Sequence, residues 1–409
     1  MAGKSTGSSG VPSMRRSGPE GESSMKATRG RGRVARWGAL AAVPLTIAAT
    51  LSGASSAGAS LPSTIHLYSI DDNSGPAGAV GVDATQAYEL AVSQINKEHF
   101  LGNTTLSFSV GDTGGSATTA ANLATQAATA HYPIVFGPVS SSTAVAVAPI
   151  LGRANQPTIF TQAGSSGVLV SKYIFRMTPL QTTQFPLTLK WLKSKGVKTV
   201  SVLYDSDFPT QAQMAQELAT LGPKYGMKVV GKQAVLTSQS NISSAVSNLA
   251  ADHAQAVALL VLLGQNATAV SGLSQAGFKG PTVAEEGAAN GGLDAAGAAA
   301  NGVTWTTDWN TGETNAASTS FEKAYQAAYH KTATDWSAEA YDAMWFAARG
   351  LKEAGSTSPQ AIQAALEKVG KAGFPGVEGT VRTASNQEVG PGILVQYENG
   401  DQVIVKSPS

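Results

Sequence analysis

Between residues 63 and 284, short apolar segments alternate with segments of helical period, and this rhythm constrains the chain more than any single motif. STIHLYSI (63–70) reads as a strand. DATQAYELAVSQIN (83–96) reads as a helix that begins at an acidic residue and carries Ala87, Leu90, Ala91 and Ile95 on one face. TLSFSV (105–110) alternates as a strand, ATTAANLATQAATA (117–130) is helical, and PIVF (133–136) and TIF (158–160) are short buried strands separated by another helix. The rhythm then restarts: strands at 198–204, 227–235, 256–262 and 281–284 alternate with helices at 210–222, near 241–251 and near 266–276. Strand, helix and strand in succession build a parallel sheet covered on both faces, so two such runs predict an α/β protein of two lobes.

Three helical stretches (316–330, 336–354 and 358–370) and two alternating strands within 393–406, joined at Asn399-Gly400, complete the chain. The simplest arrangement returns the helices after 311 to the first lobe and the hairpin to the second. Lobe 1 is then 60–180 with 311–377, and lobe 2 is 181–310 with 378–409. Crossings near 180, 310 and 377 would form a three-strand hinge.

Charge and composition exclude several function classes. Of 409 residues, 42% are hydrophobic and 13% charged, enough to bury two cores. The first 59 residues hold eight Lys/Arg against two Asp/Glu, which leaves 20 basic and 25 acidic groups in the remainder. A mildly acidic body lacks the basic footprint of a nucleic-acid-binding protein. The absence of cysteine rules out disulfides, thiolate metal sites, cysteine nucleophiles and the lipid-bearing cysteine of a lipoprotein. Lys26, Arg29, Arg31, Arg33 and Arg36 precede the apolar stretch Trp37 to Leu51 and then the small residues Ala57-Gly58-Ala59, the three regions of a secretory signal. Cleavage is expected after Ala59, with an extended N-region before the signal and Met25 as a second candidate start. An uncleaved anchor is the alternative, disfavoured by the short apolar run and its internal Pro44. The protein is thus expected to be exported, periplasmic or at the cell surface.

Catalytic signatures are missing. The sequence has no G-x-S-x-G elbow, H-E-x-x-H, Walker loop or well-placed G-x-G-x-x-G. His66, His99, His131, His253 and His330 are scattered without ligand spacing, and Asp205 with Asp207 lacks the rest of a calcium loop. No enzyme, cofactor or metal is expected.

The chemistry that does stand out lies at two strand ends. IVFGPVSSSTAVAVAPI (134–150) runs from a strand through Ser140, Ser141 and Ser142 into a helix, and IFTQAGSSG (159–167) follows the next strand with Ala163, Gly164, Ser165 and Ser166. Ligands of parallel sheets bind beyond the carboxyl ends of the strands, where helix N-termini present unpaired N–H groups. Serine there caps the helix or donates to an anion. Two adjacent donor-rich ends suggest a carboxylate or similar small anion.

In order and spacing, SIDDNSGPAGAVGVDATQAYELAVSQIN, VFGPVSSSTAVAVAPI, YIFRMTP, LSQAGFKGPTVAEEG and AYDAMWFAARGLKEAG resemble the periplasmic type I solute-binding proteins of ABC importers, in their branched-chain amino acid (Leu/Ile/Val-binding) branch. The likeness spans 62–405. It implies a two-lobed type I periplasmic-binding-protein fold that closes on an amino acid or related small carboxylate, acts as a monomer and delivers its ligand to an ABC permease complex. A sensor of the same fold, signalling to a partner protein, is the alternative. The resemblance places the ligand carboxylate at Ser140, Ser141, Ala163, Gly164 and Ser165, and the ammonium at Glu286, with Glu285 as the neighbouring candidate. Val80 and the leucines of LLVLLGQNAT stand where the family often has aromatics, while Phe208 keeps a ring in the second lobe and Trp309 is a further candidate. These departures bear on which ligand is bound rather than on the fold.

Overall fold

The computed structural model describes residues 61–405. The export segment expected at 1–59 and the last residues of the second lobe lie outside the described residues. The first lobe opens with β1 (Thr64–Asp71), α1 (Gly78–Lys97), β2 (Thr105–Asp112), α2 (Ala117–Ala130), β3 (Val135–Phe136), α3 (Ser141–Arg153), β4 (Thr158–Phe160) and β5 (Ile174–Arg176). The second lobe follows with α4 (Gln181–Ser194), β6 (Thr199–Asp205), α5 (Pro209–Leu221), β7 (Lys228–Val235), α6 (Ser243–Ala251), β8 (Ala256–Leu260), α7 (Gly264–Gln275), β9 (Thr282–Ala284) and β10 (Thr304–Thr307). The chain returns to the first lobe for α8 (Ala316–Tyr329), α9 (Asp335–Ala354), α10 (Pro359–Ala372), β11 (Phe374–Gly376), β12 (Gly379–Val381), β13 (Thr383–Ala384) and β14 (Gln387–Glu388), and ends in the second with β15 (Ile393–Glu398) and β16 (Asp401–Val405).

Each lobe is built on a seven-stranded sheet, ordered β13-β14-β5-β4-β3-β1-β2 in the first and β16-β15-β10-β9-β8-β6-β7 in the second. The pairing is mainly parallel, with antiparallel strands at one edge of each sheet. Burial follows from strand position. AVALL of β8, flanked on both sides, is buried throughout, whereas β7 at the sheet edge alternates exposed and half-buried residues. Helices cover both faces. In lobe 1 one core joins α1, α8 and α9 to the sheet through residues such as Tyr88, Phe136, Phe321 and Phe346, and another joins α2 and α3 through Ala124, Val147 and Leu151. Lobe 2 repeats the plan, with Leu189 and Leu218 on one face and Leu249 and Leu273 on the other.

Several elements differ from the sequence expectation for identifiable reasons. Helix α1 begins at Gly78, not at Asp83, because the Asp83 carboxylate is not a cap: it accepts from Thr334 Oγ1 at 2.8 Å and pairs with Lys331. Strand β5 and helix α4 went unread, the strand because three residues carry no period and the helix because Pro186 interrupts its pattern. The third crossing falls later than 377. Arg176 of β5 pairs with Gln387, which keeps β13 and β14 in the first sheet and moves the crossing to the segment before Ile393. The hairpin turn at Asn399 and Gly400 has φ of 56° and 99°, the left-handed pair that a two-residue turn between Glu398 and Asp401 requires.

Strand order reverses at β1, whose neighbours are β3 and β2, and at β6, whose neighbours are β8 and β7. Ligands of open parallel sheets bind at such reversals. Gly81 fixes one of them: a Cβ there would stand 2.4 Å from the carbonyl oxygen of Asp72, just past the end of β1. Gly81→Ala is therefore expected to destabilise the fold by about 1–3 kcal/mol through forced backbone displacement, read as a lower urea midpoint with an unchanged slope.

Candidate functional site

Both strand-order reversals open onto one cleft between the lobes. It encloses about 590 Å³, part of it continuous with solvent. Lobe 1 contributes Pro76, Ala77 and Val80 after β1 and Val139 and Ser140 after β3; lobe 2 contributes Phe208, Thr210 and Gln211 after β6 and Leu262 and Leu263 after β8. Glu285, Glu286 and Gly287 after β9, with Gln162 and Trp336, complete the wall. Two of these residues, Gln162 and Leu263, hold positive φ (54° and 30°) without being glycine. Backbone strain of that kind persists where the surroundings hold a side chain in one place.

On the lobe 1 side the start of α3 is held by a buried carboxylate. Asp72 Oδ2 accepts the backbone N–H of Ser140 and the hydroxyl of Thr143, each at 2.9 Å, while its Oδ1 accepts from Thr113. Burial nevertheless pushes the Asp72 carboxyl up from its ordinary range, against the pull of these donors. Ser140 Oγ bonds Ser142 Oγ at 2.7 Å. Ser141 Oγ accepts the backbone N–H of Ser165 at 3.1 Å and reaches across the cleft to Thr210 Oγ1 at 2.6 Å. Ala163, Gly164 and Ser165 are buried behind Ser141, and the carbonyls of Ala163 and Ser165 accept from Arg176 Nη1 at 2.9 and 2.6 Å. That guanidinium is lowered to about 10 by burial and remains a cation at neutral pH. The N-terminus of α3 adds the positive end of its dipole, which the Asp72 carboxyl at Ser140 partly offsets.

The lobe 2 side is acidic. Glu285 Oε1 accepts the backbone N–H of Gly287 at 2.9 Å and its Oε2 accepts Gln211 Nε2 at 3.2 Å, yet burial pushes the carboxyl up to about 8. Glu286 Oε1 accepts the Thr307 hydroxyl at 3.1 Å. A second bridge, from Gln213 Nε2 to Ser165 Oγ at 3.3 Å, joins the lobes beside the Ser141–Thr210 contact. The two lobes thus touch directly across the cleft.

Of the residues singled out in the sequence, Ser140, Phe208 and Glu286 line the cleft. Ser141 and the Ala163–Ser165 loop lie directly behind it, with Ser141 turned to Thr210. Trp309 is not brought to the cleft. Its indole N–H donates to Ser318 Oγ at 2.8 Å and its ring meets Phe321 edge-on in the lobe 1 core. Sequence reasoning missed Thr210, Gln211, Gln162 and Trp336. Thr210 and Gln211 carry the same signal as the serines, polar residues at a helix start just after a strand, but Gln162 and Trp336 reach the cleft through tertiary packing alone.

These features match known proteins. The chain belongs to the periplasmic binding protein family, whose model matches residues 64–402, and its fold is that of the type I members. Similar solved structures include the leucine-binding protein LivK of Thermotoga maritima (20% identity, 84% of this chain and 98% of that one, TM-score 0.77). The branched-chain amino acid binding protein LivJ of Streptococcus pneumoniae, in complex with isoleucine, is similar at 21% identity over 84% of this chain and 100% of that one, TM-score 0.76. A solute-binding protein of an R. palustris ABC transporter, in complex with benzoate, is similar at 19% identity over 84% of this chain and 96% of that one, TM-score 0.77. No curated protein matches the chain in sequence. Among the described residues no helix is long and apolar enough to cross a membrane.

The raised carboxyl of Glu285 makes stability pH-dependent. Its folded form holds a proton that the unfolded chain releases near pH 4.5, so its contribution is complete at low pH and is lost as pH rises through about 8. Glu285→Gln is therefore expected to raise the melting temperature at pH 8 more than at pH 5, and calorimetric scans at the two values check this.

Proposed function

We propose that this protein captures an amino acid or similar small carboxylate outside the cytoplasm by closing its two lobes around it, and delivers it to the permease of an ABC importer. The observation that carries this reading is the polarity of the cleft. The Ser140 hydroxyl and the N-terminus of α3 stand on the lobe 1 side, with the Ser141 hydroxyl directly behind, and two carboxyls stand on the lobe 2 side at Glu285 and Glu286. A zwitterion suits that arrangement: its carboxylate meets Ser140, Ser141 and the loop of Ala163, Gly164 and Ser165, and its ammonium meets Glu286.

Between the two ends, Ala77, Val80, Leu262, Phe208 and Trp336 form an apolar wall suited to an uncharged side chain. Small aliphatic residues at Val80 and Leu262 leave width there that larger rings would fill. The Ser141–Thr210 contact, made across the cleft, supports closure as the signal a permease would read. A ligand that bridges Ser141 and Glu286 binds the closed form better than the open one and shifts the population toward it.

A thermal-shift screen against amino acids, amides, simple carboxylates and sugars tests the proposal, since a ligand of the folded state raises the melting temperature. One group of amino acids is expected to do so. In calorimetric titration with the best of them, Glu286→Gln is expected to weaken binding by about 1–3 kcal/mol, the range for a hydrogen bond to a charged group. Unchanged affinity would remove Glu286 from the site. Ser141→Ala is expected to weaken binding of the amino acid and of its amine-free carboxylate analogue alike, because it acts on the carboxylate end.

A further inference from the structure

The acidic side of the cleft holds one carboxyl more than a zwitterion needs. Glu286, turned toward β10 where it meets the Thr307 hydroxyl at 3.1 Å, suffices for an ammonium. Glu285 turns the other way along the sheet, to Gln211 in the first turn of α5. Burial pushes its carboxyl up to about 8, so at neutral pH it carries a proton and offers no counter-charge to a second cation. What it does instead is orient an amide. Its Oε2 accepts Gln211 Nε2 at 3.2 Å, while its Oε1 is fixed by the backbone N–H of Gly287 at 2.9 Å.

The other end of that amide is unsatisfied. Gln211 is 3% exposed and lines the cleft, and its Oε1 meets no donor from the protein. Among the described residues it is the one cleft-lining side chain with a buried polar atom in that state. Leaving an amide oxygen buried and unpaired is costly, and a bound molecule that supplies an N–H or O–H removes the cost. An ammonium held at Glu286 is not that donor. Strands β10 and β6 stand three places apart in the second sheet, about 14 Å at the usual strand spacing, and Glu285 lies between the two sites. The donor therefore belongs to another part of the ligand. Phe208 and Leu262, which follow β6 and β8 beside Gln211, belong to the apolar wall along which a ligand side chain runs.

We propose that Gln211 Oε1, held in place by Glu285, accepts a hydrogen bond from the ligand's side chain, so that the cleft selects an amino acid ending in an uncharged hydroxyl or carboxamide over an apolar one of the same shape. This rests on the amino acid reading given above and narrows it. An apolar isostere leaves the Gln211 oxygen buried and unpaired in the complex, and a site built to hydrogen-bond a group rejects the analogue that lacks it.

Calorimetric titration of the full chain with isosteric pairs tests this: threonine against valine, and asparagine against leucine. The polar member of a pair is expected to bind at least about tenfold more tightly than its apolar partner. The threonine pair shows this if a hydroxyl is read, the asparagine pair if a carboxamide is. Gln211→Met, which keeps the length of the side chain and removes the amide, is expected to abolish the ratio. Glu285→Ala, which frees the amide to turn, is expected to lower it through the polar member alone, a change that general loosening of the fold does not produce. The wild-type ratios are decisive whether or not a variant folds. Valine and leucine binding as tightly as their polar partners, or a ratio that survives Gln211→Met, overturns the proposal while amino acid capture stands. Binding of no amino acid at all is the separate result that removes both.

Discussion

A parallel strand can be followed by another only after the chain has crossed the sheet, so each crossover helix must start where a strand ends, on the same edge. The functional geometry of this protein rests on that constraint. In both sheets the strand order reverses once among the parallel strands, at β1 and at β6, and the helices leaving the two sides of each reversal part and expose a crevice. The chain fills those crevices with small and polar residues. Because the lobes face each other through these edges, Ser141 at the start of α3 meets Thr210 at the start of α5, beside the cleft that Ser140 and Gln211 line from opposite lobes.

Buried carboxyls then give the cleft its character. Asp72 holds the start of α3 through the backbone amide of Ser140 and the hydroxyl of Thr143, and is itself steadied by Thr113 after β2, so the serines are oriented by a group that stands behind the surface. On the other lobe Glu285 is tied to Gln211 and Gly287, and Glu286 to Thr307. The same Thr307 hydroxyl lies 3.0 Å from Asp335 Oδ2 on α9 in lobe 1 and shares its one proton between the two carboxyls, so the hydrogen-bond network of the acidic side runs through the junction of the lobes. Burying several carboxylates together is unfavourable unless protons, cations or donors compensate. Such a junction is sensitive to pH.

Relatedness at about 20% identity accompanies a shared fold with different molecules bound: LivJ holds isoleucine and the R. palustris protein holds benzoate. Carboxylate is the feature those two ligands have in common. The strand ends that carry Ser140, Ser141 and Ser165 belong to the fold itself, whereas Val80, Leu262 and Phe208 are side-chain choices laid over it. On the proposed function, ligand choice would rest on the second group.

Much of this was legible in the sequence. The strand and helix periods located nearly every long element; helix α2 and strand β4 fall on the residues expected, and the Asn399-Gly400 turn was readable because it depends on two adjacent residues. Polar residues at strand ends pointed to Ser140 by local logic, whereas Glu286 was reached only through the family resemblance. Where contacts join distant segments, the sequence was silent. Trp309 followed an acidic residue near a crossing and looked available, yet the packing of α8 draws it into the core. The third crossing could not be placed because Gln387 pairs with Arg176, 211 residues earlier. The places of Gln162 and Trp336 in the cleft and the pairing of Gln211 with Glu285 arise only when separate chain segments are brought together, and no period or motif within one segment records which others it will touch. Local backbone preference and burial pattern are written residue by residue; the junction of the lobes is decided by packing between segments.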